Sequence, residues 1–257
     1  ICACLVGSEM CIRDRGTTLF LMAGCNDNKE RVKSATEKGN NTTEGWAGNR
    51  MRPDLVQKFF PNNDAPNISA YAMPAAADDD RALFDGDGRN VTNGDDENGV
   101  KVFTNGFSVC KFNNFKTDGS AGHDSKFPDT DFFLMRAAEA YLMYAEADAR
   151  QNGGTTTADG AKYINELRSR AHATTHTAYS LRQICDEWSR EFYFEGLRRT
   201  TLTRFGYFGG NVNYNWSWKG GVKNGRNFDA HLNLFPIPTS DLTANGNLAQ
   251  NPGYSSK

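Results

Sequence analysis

Three consecutive stretches with the hydrophobic spacing of amphipathic helices, all between residues 131 and 208, constrain the fold more than any other feature of the chain. In the first stretch, small and apolar residues recur at helical offsets, namely Leu134, Ala137, Ala138, Tyr141, Leu142 and Ala145. Thr130 or Asp131 stands where a residue could cap its exposed amides, and Gly153 where a helix would end. The pattern predicts a helix with a small-residue face suited to close packing.

The next two stretches extend this helical region. The second follows a short Gly/Thr loop and places Ala161, Ile164, Leu167 and Ala171 on one side. We therefore expect an antiparallel helical hairpin with the first. The third opens at Ser180, which forms a capping-box pattern with Gln183, and its spacing puts Trp188 in the core.

The rest of the chain favours short elements. Pro53 suits a first helical turn, an apolar patch follows it, and Pro61 ends that helix. Strand-like alternation flanks the Asn105–Gly106 pair, at Val100, Val102, Phe107 and Val109, which predicts a β-hairpin. The prolines near the carboxyl end exclude a long final helix. The predicted fold class is mainly α, with helical pairs and a loop-rich region that contains a short β-hairpin.

Charge and hydropathy exclude two classes of function. The formal net charge is -2 and there is no long Lys/Arg run, so nothing indicates a nucleic-acid partner. Nowhere do about 18 apolar residues run together, as a membrane-spanning helix requires. Neither DNA binding nor a membrane-spanning role is indicated.

The amino terminus is interpreted separately from the fold. Residues 1–15 contain the string CLVGSEMCIRDR, which a transposase adapter used in sequencing-library preparation encodes, so we expect a non-native scar there. Residues 16–257 then form the domain. The apolar run before Cys25 ends like a bacterial lipobox, which leaves a lipid-modified cysteine and an internal, buried strand as alternatives; the short run favours the internal one.

Several motifs together resemble the SusD/RagB family. The strings DFFLMRAAEAYLMYAEA, YINELRSRA, REFYFEGLRRTTLTRFG and LFPIPTSDLTANGNLAQNPGY occur in the order and spacing of its C-terminal portion. GWAGNRMRPDLVQKF and DDDRALF are similar to its middle portion. The resemblance covers Gly16 to Tyr254.

What the resemblance implies is a non-catalytic, glycan-binding lipoprotein of the outer membrane of Bacteroidetes-type bacteria, facing outward. Such a protein binds oligosaccharides or polysaccharides and delivers them to a SusC-type TonB-dependent transporter. The implied fold has tetratricopeptide-like helical pairs, no cofactor and no metal. In the family the lipid-bearing cysteine lies well upstream of the GWAGNR type of motif, so the resemblance implies that an N-terminal part with the lipid anchor is missing here.

One motif departs from the family. Where its helix-ending motif has an Asp, this chain has Thr201, so one arginine loses a charge partner. We expect Glu195, Arg198 and Arg204 to form a buried or half-buried structural cluster of ion pairs, because buried charges are tolerated only when paired.

Two segments are candidate carbohydrate sites. A pyranose offers a flat C–H face for aromatic stacking and hydroxyls for planar polar groups. One segment contains Trp46, Asn49 and Arg50; the other contains Tyr214, Trp216 and Trp218. The opposing interpretation is that these tryptophans pack on helices and stiffen loops.

Other functions find less support in the sequence. The acidic loop Asp85–Asp96 alternates oxygen ligands as a calcium loop does, but it lacks the EF-hand glycine and glutamate, so a solvated loop is favoured. A glycoside hydrolase would need two carboxylates across a cleft, and Asp78, Asp79 and Asp80 are adjacent. A helical-repeat scaffold that binds a protein partner remains the first alternative.

Overall fold

A computed structural model describes residues 41–43, 45–46, 49–62, 64–91, 105–130, 133–210, 212 and 214–255. The chain divides into two compact units, Ile1–Gly196 and Leu197–Lys257. Most regular structure is helical. The predicted scar and Cys25 lie outside the described residues, as do residues 92–96 of the acidic loop.

The first unit contains five described α-helices. They are α1 (Pro53–Val56), α2 (Met73–Ala77), α3 (Ala137–Gln151), α4 (Ala158–Arg170) and α5 (Leu181–Phe192). As predicted, Pro53 opens α1, a 3-10 turn at Gln57–Phe59 continues it, and the apolar patch is buried. This part of the helix prediction is confirmed.

The start of α3 corrects the sequence-based prediction. The helix begins at Ala137 and not near Leu134, which is 54% exposed and lies outside the helix. Arg136 at the N-cap is extended (φ -135°, ψ 152°) because its guanidinium reaches back to Glu191 and Glu195. Thr130 lies too far upstream to cap this helix, and Asp131 lies outside the described residues. A distant pair of carboxylates thus overrides the local helical pattern.

The predicted helical hairpin is confirmed. Tyr163 of α4 packs on Tyr141 and Tyr144 of α3, with ring centroids 5.3 and 4.6 Å apart. Further along α3, Asp148 accepts hydrogen bonds from Thr157 at the start of α4. Later residues of α3 therefore contact earlier residues of α4, so the two helices are antiparallel.

Helix α5 has the start that the sequence predicts. Ser180 and Gln183 form a complete capping box, which satisfies two amides that a helix start leaves open. Trp188 is buried, as expected, and its ring lies 5.2 Å from that of Phe192. Helix α5 packs on both α3 and the 3-10 turn after α1.

A two-stranded antiparallel sheet joins the core of the first unit. Strand β1 (Phe84–Asp85) pairs with β2 (Ser108–Val109), with Phe84 opposite Val109. Strand β2 contains Val109 of the predicted hairpin, but its partner is β1. The other predicted arm, around Val100 and Val102, lies outside the described residues, so that pairing stays a prediction. The core around this sheet is aromatic, with Phe59, Phe84 and Tyr193 in mutual contact.

The second unit is mostly irregular. Its regular elements are α6 (Arg198–Arg204), α7 (Thr239–Ala244) and 3-10 turns at Lys219–Gly221 and Ala230–Asn233. Helix α7 has six residues, so the expectation that prolines prevent a long final helix is confirmed. In the part of the chain that the structure describes, no helix combines the length and apolarity needed to cross a membrane.

Candidate functional site

The segment that carries Trp46 is anchored at both of its ends. Upstream, the Thr43 amide donates to the Ser125 carbonyl at 2.9 Å. Downstream, Met51 and Phe107 exchange two backbone hydrogen bonds of 2.8 Å. Trp46 lies between these anchors and is 50% exposed. An anchored backbone with an exposed indole ring is suited to stacking on a ligand at low entropic cost.

The polar residues predicted beside Trp46 lie on the same short segment. Asn49 is exposed and Arg50 is half-buried. Gly106, opposite, has φ 78°, and a Cβ there would stand 2.9 Å from the Met51 carbonyl oxygen. Only glycine therefore allows this close approach, which fixes the position of Arg50 and Met51.

Asn114 is a buried, hydrogen-bonded position beside the Trp46 segment that the sequence analysis did not identify. Its buried side chain donates to the carbonyls of Asn41 and Asp124, at 3.2 and 2.8 Å, and accepts from the amide of Asp129 at 3.1 Å. These hydrogen bonds hold the start of the Trp46 segment on the loop that follows β2. Two adjacent asparagines, Asn113 and Asn114, stand between Phe112 and Phe115, and this pattern gave no sequence signal that Asn114 would be buried.

The second predicted segment lies in the second unit, and its first aromatic residue is buried. Tyr214 is 5% exposed and its ring stacks on Tyr207 with centroids 4.9 Å apart. Arg198 donates to the Tyr214 hydroxyl at 2.5 Å. Because both the ring and the hydroxyl are engaged, this geometry gives Tyr214 a packing role beneath the loop.

Trp216 lies beside a buried lysine. The ammonium group of Lys219, 1% exposed, stands 4.7 Å from the centre of the Trp216 ring and 4.9 Å from that of Phe228. It also donates to the Tyr214 carbonyl at 3.0 Å. Burial lowers the pKa of Lys219 below its ordinary value. Lys219 thus fixes the orientation of the half-buried Trp216 ring.

Trp218 adopts a backbone conformation that large side chains rarely adopt. Its φ is 64° and its ψ 14°, in the left-handed region. Its amide donates to the Lys223 carbonyl at 3.1 Å, and its carbonyl accepts from Gly221 at 3.0 Å. Strained positions of this kind concentrate in ligand-binding loops, so Trp218 stays a candidate contact residue.

The predicted cluster of Glu195, Arg198 and Arg204 divides between the two units. Glu195, at 5% exposure, pairs with Lys111 and accepts from Arg136 at 2.7 Å. In the second unit, Arg204 lies over the ring of Phe205, and Arg198 over that of Tyr214. A shared cluster of the three residues stays a prediction.

Glu195 belongs to a larger arrangement that the sequence analysis did not identify. Glu187, Glu191 and Glu195 are spaced four residues apart, and we call these three the carboxylate ladder. Each is buried and paired with two or more cations, drawn from Arg81, Lys111, Arg136, Arg168, Arg170 and Arg190. The four-residue repeat was the signal that could have revealed this buried charged stripe.

The surrounding arginines keep two members of the carboxylate ladder, Glu187 and Glu191, ionised. Burial raises the pKa of Glu191, but the charges of Arg81 and Arg136 outweigh it and lower this pKa to about 2. In the same way, Arg190, Arg81 and Arg168 lower the pKa of Glu187 well below its ordinary value. Carboxyl groups held this way donate no proton at neutral pH.

The part of the chain that the structure describes contains no arrangement suited to a metal ion. Over the described ranges, no three His, Cys, Asp or Glu side chains converge as they would around an ion. Asp85, at the head of the acidic loop, is buried and accepts from the Ala70 amide at 3.0 Å. Its role in the described part of that loop is structural.

Comparison with known proteins shows which family the chain resembles. The model of the SusD family matches residues 13–254. The starch-binding protein SusD of Bacteroides thetaiotaomicron is 39% identical to this chain, over 94% of the chain and 47% of that protein. This chain thus spans about half the length of that relative.

Solved structures agree with this match. A SusD superfamily protein from Bacteroides fragilis aligns with a TM-score of 0.55 and 19% identity, over 94% of this chain and 49% of that one. Surface glycan-binding protein A from Bacteroides thetaiotaomicron, in complex with laminarihexaose, aligns with a TM-score of 0.50 and 21% identity, over 92% and 47%. These likenesses concern the fold, which is the helical fold that the sequence predicted. From the family match and the 39% identity together, the chain belongs to the SusD family.

Proposed function

We propose that this chain is part of a non-catalytic protein that binds oligosaccharides or polysaccharides. It captures them at the outer face of the outer membrane and delivers them to a SusC-type TonB-dependent transporter. A lipid on an N-terminal segment upstream of the GWAGNR motif attaches it to the membrane. The observation that carries the proposal is the 39% identity, over 94% of the chain, to a protein named for starch binding.

The geometry of Trp46 supports glycan binding. Trp46 is 50% exposed to solvent. Its backbone is anchored on both sides, by hydrogen bonds of Thr43 and Met51. An indole face of this kind stacks on the C–H face of a pyranose, and neighbouring Asn49 and Arg50 supply planar groups for sugar hydroxyls. We propose Trp46, Asn49 and Arg50 as one contact set, and Trp216 with Trp218 as a second.

The state of the carboxylate ladder supports a non-catalytic role. A glycosidase needs a carboxylic acid that is protonated near neutral pH, which requires a raised pKa. Glu187 and Glu191 have lowered pKa values instead, because arginines surround them. These buried carboxylates are therefore suited to stabilising the fold and unsuited to protonating a leaving group.

A protein-binding scaffold is the second candidate function. One side of α3 exposes Met143 and Tyr144, and Leu134 and Met135 just before the helix are exposed as well. Large apolar side chains grouped on a surface often mark a contact with another protein. This observation favours a partner without excluding a glycan ligand elsewhere.

Isothermal titration of the chain with a panel of oligosaccharides separates these functions. We expect saturable binding without release of reducing ends, and about 5- to 30-fold weaker binding by Trp46→Ala, since a stacked ring contributes roughly 1–2 kcal/mol. The matched control is Tyr144→Ala, which removes an aromatic ring of similar exposure (48%) from the surface of α3.

Each outcome has a distinct meaning. Equal weakening by Tyr144→Ala would show that the Trp46 effect is not specific. Release of reducing ends would favour hydrolysis, and absence of binding to every glycan would favour the scaffold. Delivery is tested by co-expression with a SusC-type transporter: co-purification of the two supports the proposal, and failure to associate contradicts the transport step.

A further inference from the structure

Charge is unevenly divided between the two units. Residues 197–257 contain seven lysines and arginines against two aspartates, a formal charge of +5. The whole chain has a charge of -2, so residues 1–196 carry -7. An asymmetry of this size within a nearly neutral chain indicates that the second unit meets a negatively charged partner.

The positive charge includes the tryptophan-bearing loop. We call residues 209–228 the basic aromatic loop; it contains Lys219, Lys223 and Arg226 but no aspartate or glutamate. Its two ends are joined, since Gly209 and Phe228 form a parallel bridge and the Gly210 amide donates to the Phe228 carbonyl at 2.9 Å. The loop is therefore closed at its base, and its three cations lie within one short, connected segment.

Backbone hydrogen bonds bring the exposed cations beside the tryptophans. The Trp218 amide donates to the Lys223 carbonyl, and the Arg226 amide donates to the Lys219 carbonyl, both at 3.1 Å. Lys219 is turned inward, between the rings of Trp216 and Phe228, whereas Lys223 and Arg226 are exposed. Two cations are thus presented to solvent next to Trp218.

The position of Arg226 depends on a glycine. Gly220 has φ 66°, and a Cβ there would stand 2.5 Å from Nε of Arg226 and 3.1 Å from the ring of Phe228. The arginine side chain therefore lies directly against the Gly220 backbone. Arg226 is also exposed, and an exposed guanidinium can bind a carboxylate or sulfate through two hydrogen bonds.

We propose that the basic aromatic loop binds an anionic glycan, one that carries carboxylate or sulfate groups. Trp218 contacts the C–H face of a sugar, and Arg226 with Lys223 binds its anionic substituent. This inference rests on the proposed glycan-binding function and narrows its ligand class. A neutral glycan would contact only the Trp218 ring, so Lys223 and Arg226 would have no role in binding it.

A membrane surface is the competing anionic partner, and the loop geometry disfavours it. A loop that inserts into lipid exposes its aromatic side chains, whereas Trp216 and Trp218 are both half-buried. Val222, at 46%, is the large hydrophobic side chain that the loop exposes among its described residues. One valine offers too little apolar area for stable insertion.

The experiment compares charged and neutral ligands on the same protein. Isothermal titration is performed with tetragalacturonate and a sulfated galactan tetrasaccharide, and in parallel with maltohexaose and laminarihexaose. We expect the anionic ligands to bind more tightly, and the paired change Lys223→Gln with Arg226→Gln to weaken only them, by about tenfold or more. Arg226→Lys, which keeps the charge but not the fork, recovers part of this loss.

Salt and a matched variant exclude a general charge effect. Raising NaCl from about 50 mM to about 500 mM weakens binding of the anionic ligands and leaves the neutral ones unchanged. Lys162→Gln removes an exposed lysine from α4 and leaves both classes unaffected. Equal affinity for neutral and charged glycans, or an equal loss in Lys162→Gln, overturns the inference and leaves the proposed function intact.

Two further outcomes separate this inference from the proposed function. If no glycan of either class binds, the glycan-binding proposal fails together with the inference. If the wild-type chain binds phosphatidylglycerol vesicles but the variant with both glutamines does not, while anionic glycans are ignored, the loop is a membrane contact and the inference is overturned.

Discussion

Arg81 and Glu187 lie 106 residues apart in the chain, and the arginine donates a hydrogen bond of 2.7 Å to this fully buried carboxylate. Arg168 and Arg190 donate to its other oxygen at 2.8 and 2.6 Å. One glutamate on α5 thus joins α4 to the segment before β1. A buried charge of this kind holds the fold together only while all its partners are present.

The first prediction concerns that glutamate. Glu187→Gln removes a carboxylate that three arginines share; Arg81 keeps Asp79 and Glu191, whereas Arg168 and Arg190 lose the countercharge that Glu187 gives them. We expect the free energy of unfolding to fall by about 3–5 kcal/mol, measured by urea denaturation. Glu166→Gln, an exposed position on α4, should change it by less than about 0.5 kcal/mol. Similar curves for the two variants would contradict the structural role of the carboxylate ladder.

The second prediction concerns acid stability. Glu191 has a folded-state pKa of about 2 against an ordinary value of 4.5, so its contribution is present above about pH 4.5 and is lost as pH falls towards 2. Between about pH 4.5 and pH 3 we expect the free energy of unfolding to drop by roughly 2 kcal/mol from this group alone. Denaturation at a series of pH values measures it.

Glu191→Gln is the control for that measurement, since it removes the titrating group. Its stability curve should be flatter over this pH interval than that of the wild type. An unchanged slope would mean that other carboxylates cause the acid sensitivity.

The third prediction concerns Asn114. Asn114→Ala removes two donated hydrogen bonds and one accepted bond, and leaves the carbonyls of Asn41 and Asp124 without this partner. We expect a loss of about 2–3 kcal/mol in stability and several-fold weaker glycan binding, because the Trp46 segment loses an anchor. Asn113→Ala, at the exposed neighbouring position, should do neither. Unchanged affinity in a destabilised Asn114→Ala chain would separate Asn114 from the site.

The fourth prediction separates stability from binding at Lys219. A lysine whose pKa is lowered by burial disfavours folding while it is charged, and this penalty disappears as pH rises through the lowered pKa. Lys219→Met keeps the volume without the charge. We therefore expect stability at neutral pH to be equal or higher and glycan affinity to be lower, because Trp216 loses the cation that orients its ring.

Denaturation and titration of Lys219→Met, compared with Lys162→Met at an exposed position on α4, measure the two effects. Lys162→Met should leave both stability and glycan affinity unchanged at neutral pH. A fall of stability in Lys219→Met with unaltered affinity for every glycan would show that Lys219 stabilises the loop and does not position Trp216.

Local sequence determined the helices and their limits where the deciding interactions are close along the chain. The capping box of Ser180 and Gln183, the small-residue faces of α3 and α4 and the prolines near the carboxyl end all act within a few residues. Hydrophobic period and capping chemistry are local properties, so they can be read without a structure. The family motifs added the fold class.

Only the tertiary structure decided which charged side chains form ion pairs and which aromatic rings are exposed to solvent. Arg136 is pulled out of α3 by Glu191 and Glu195, more than fifty residues away. Tyr214 is buried against Tyr207, whereas Trp46 is held open by anchors at Ser125 and Phe107. Burial and pairing of this kind depend on which distant segments come together, and no local spacing encodes that.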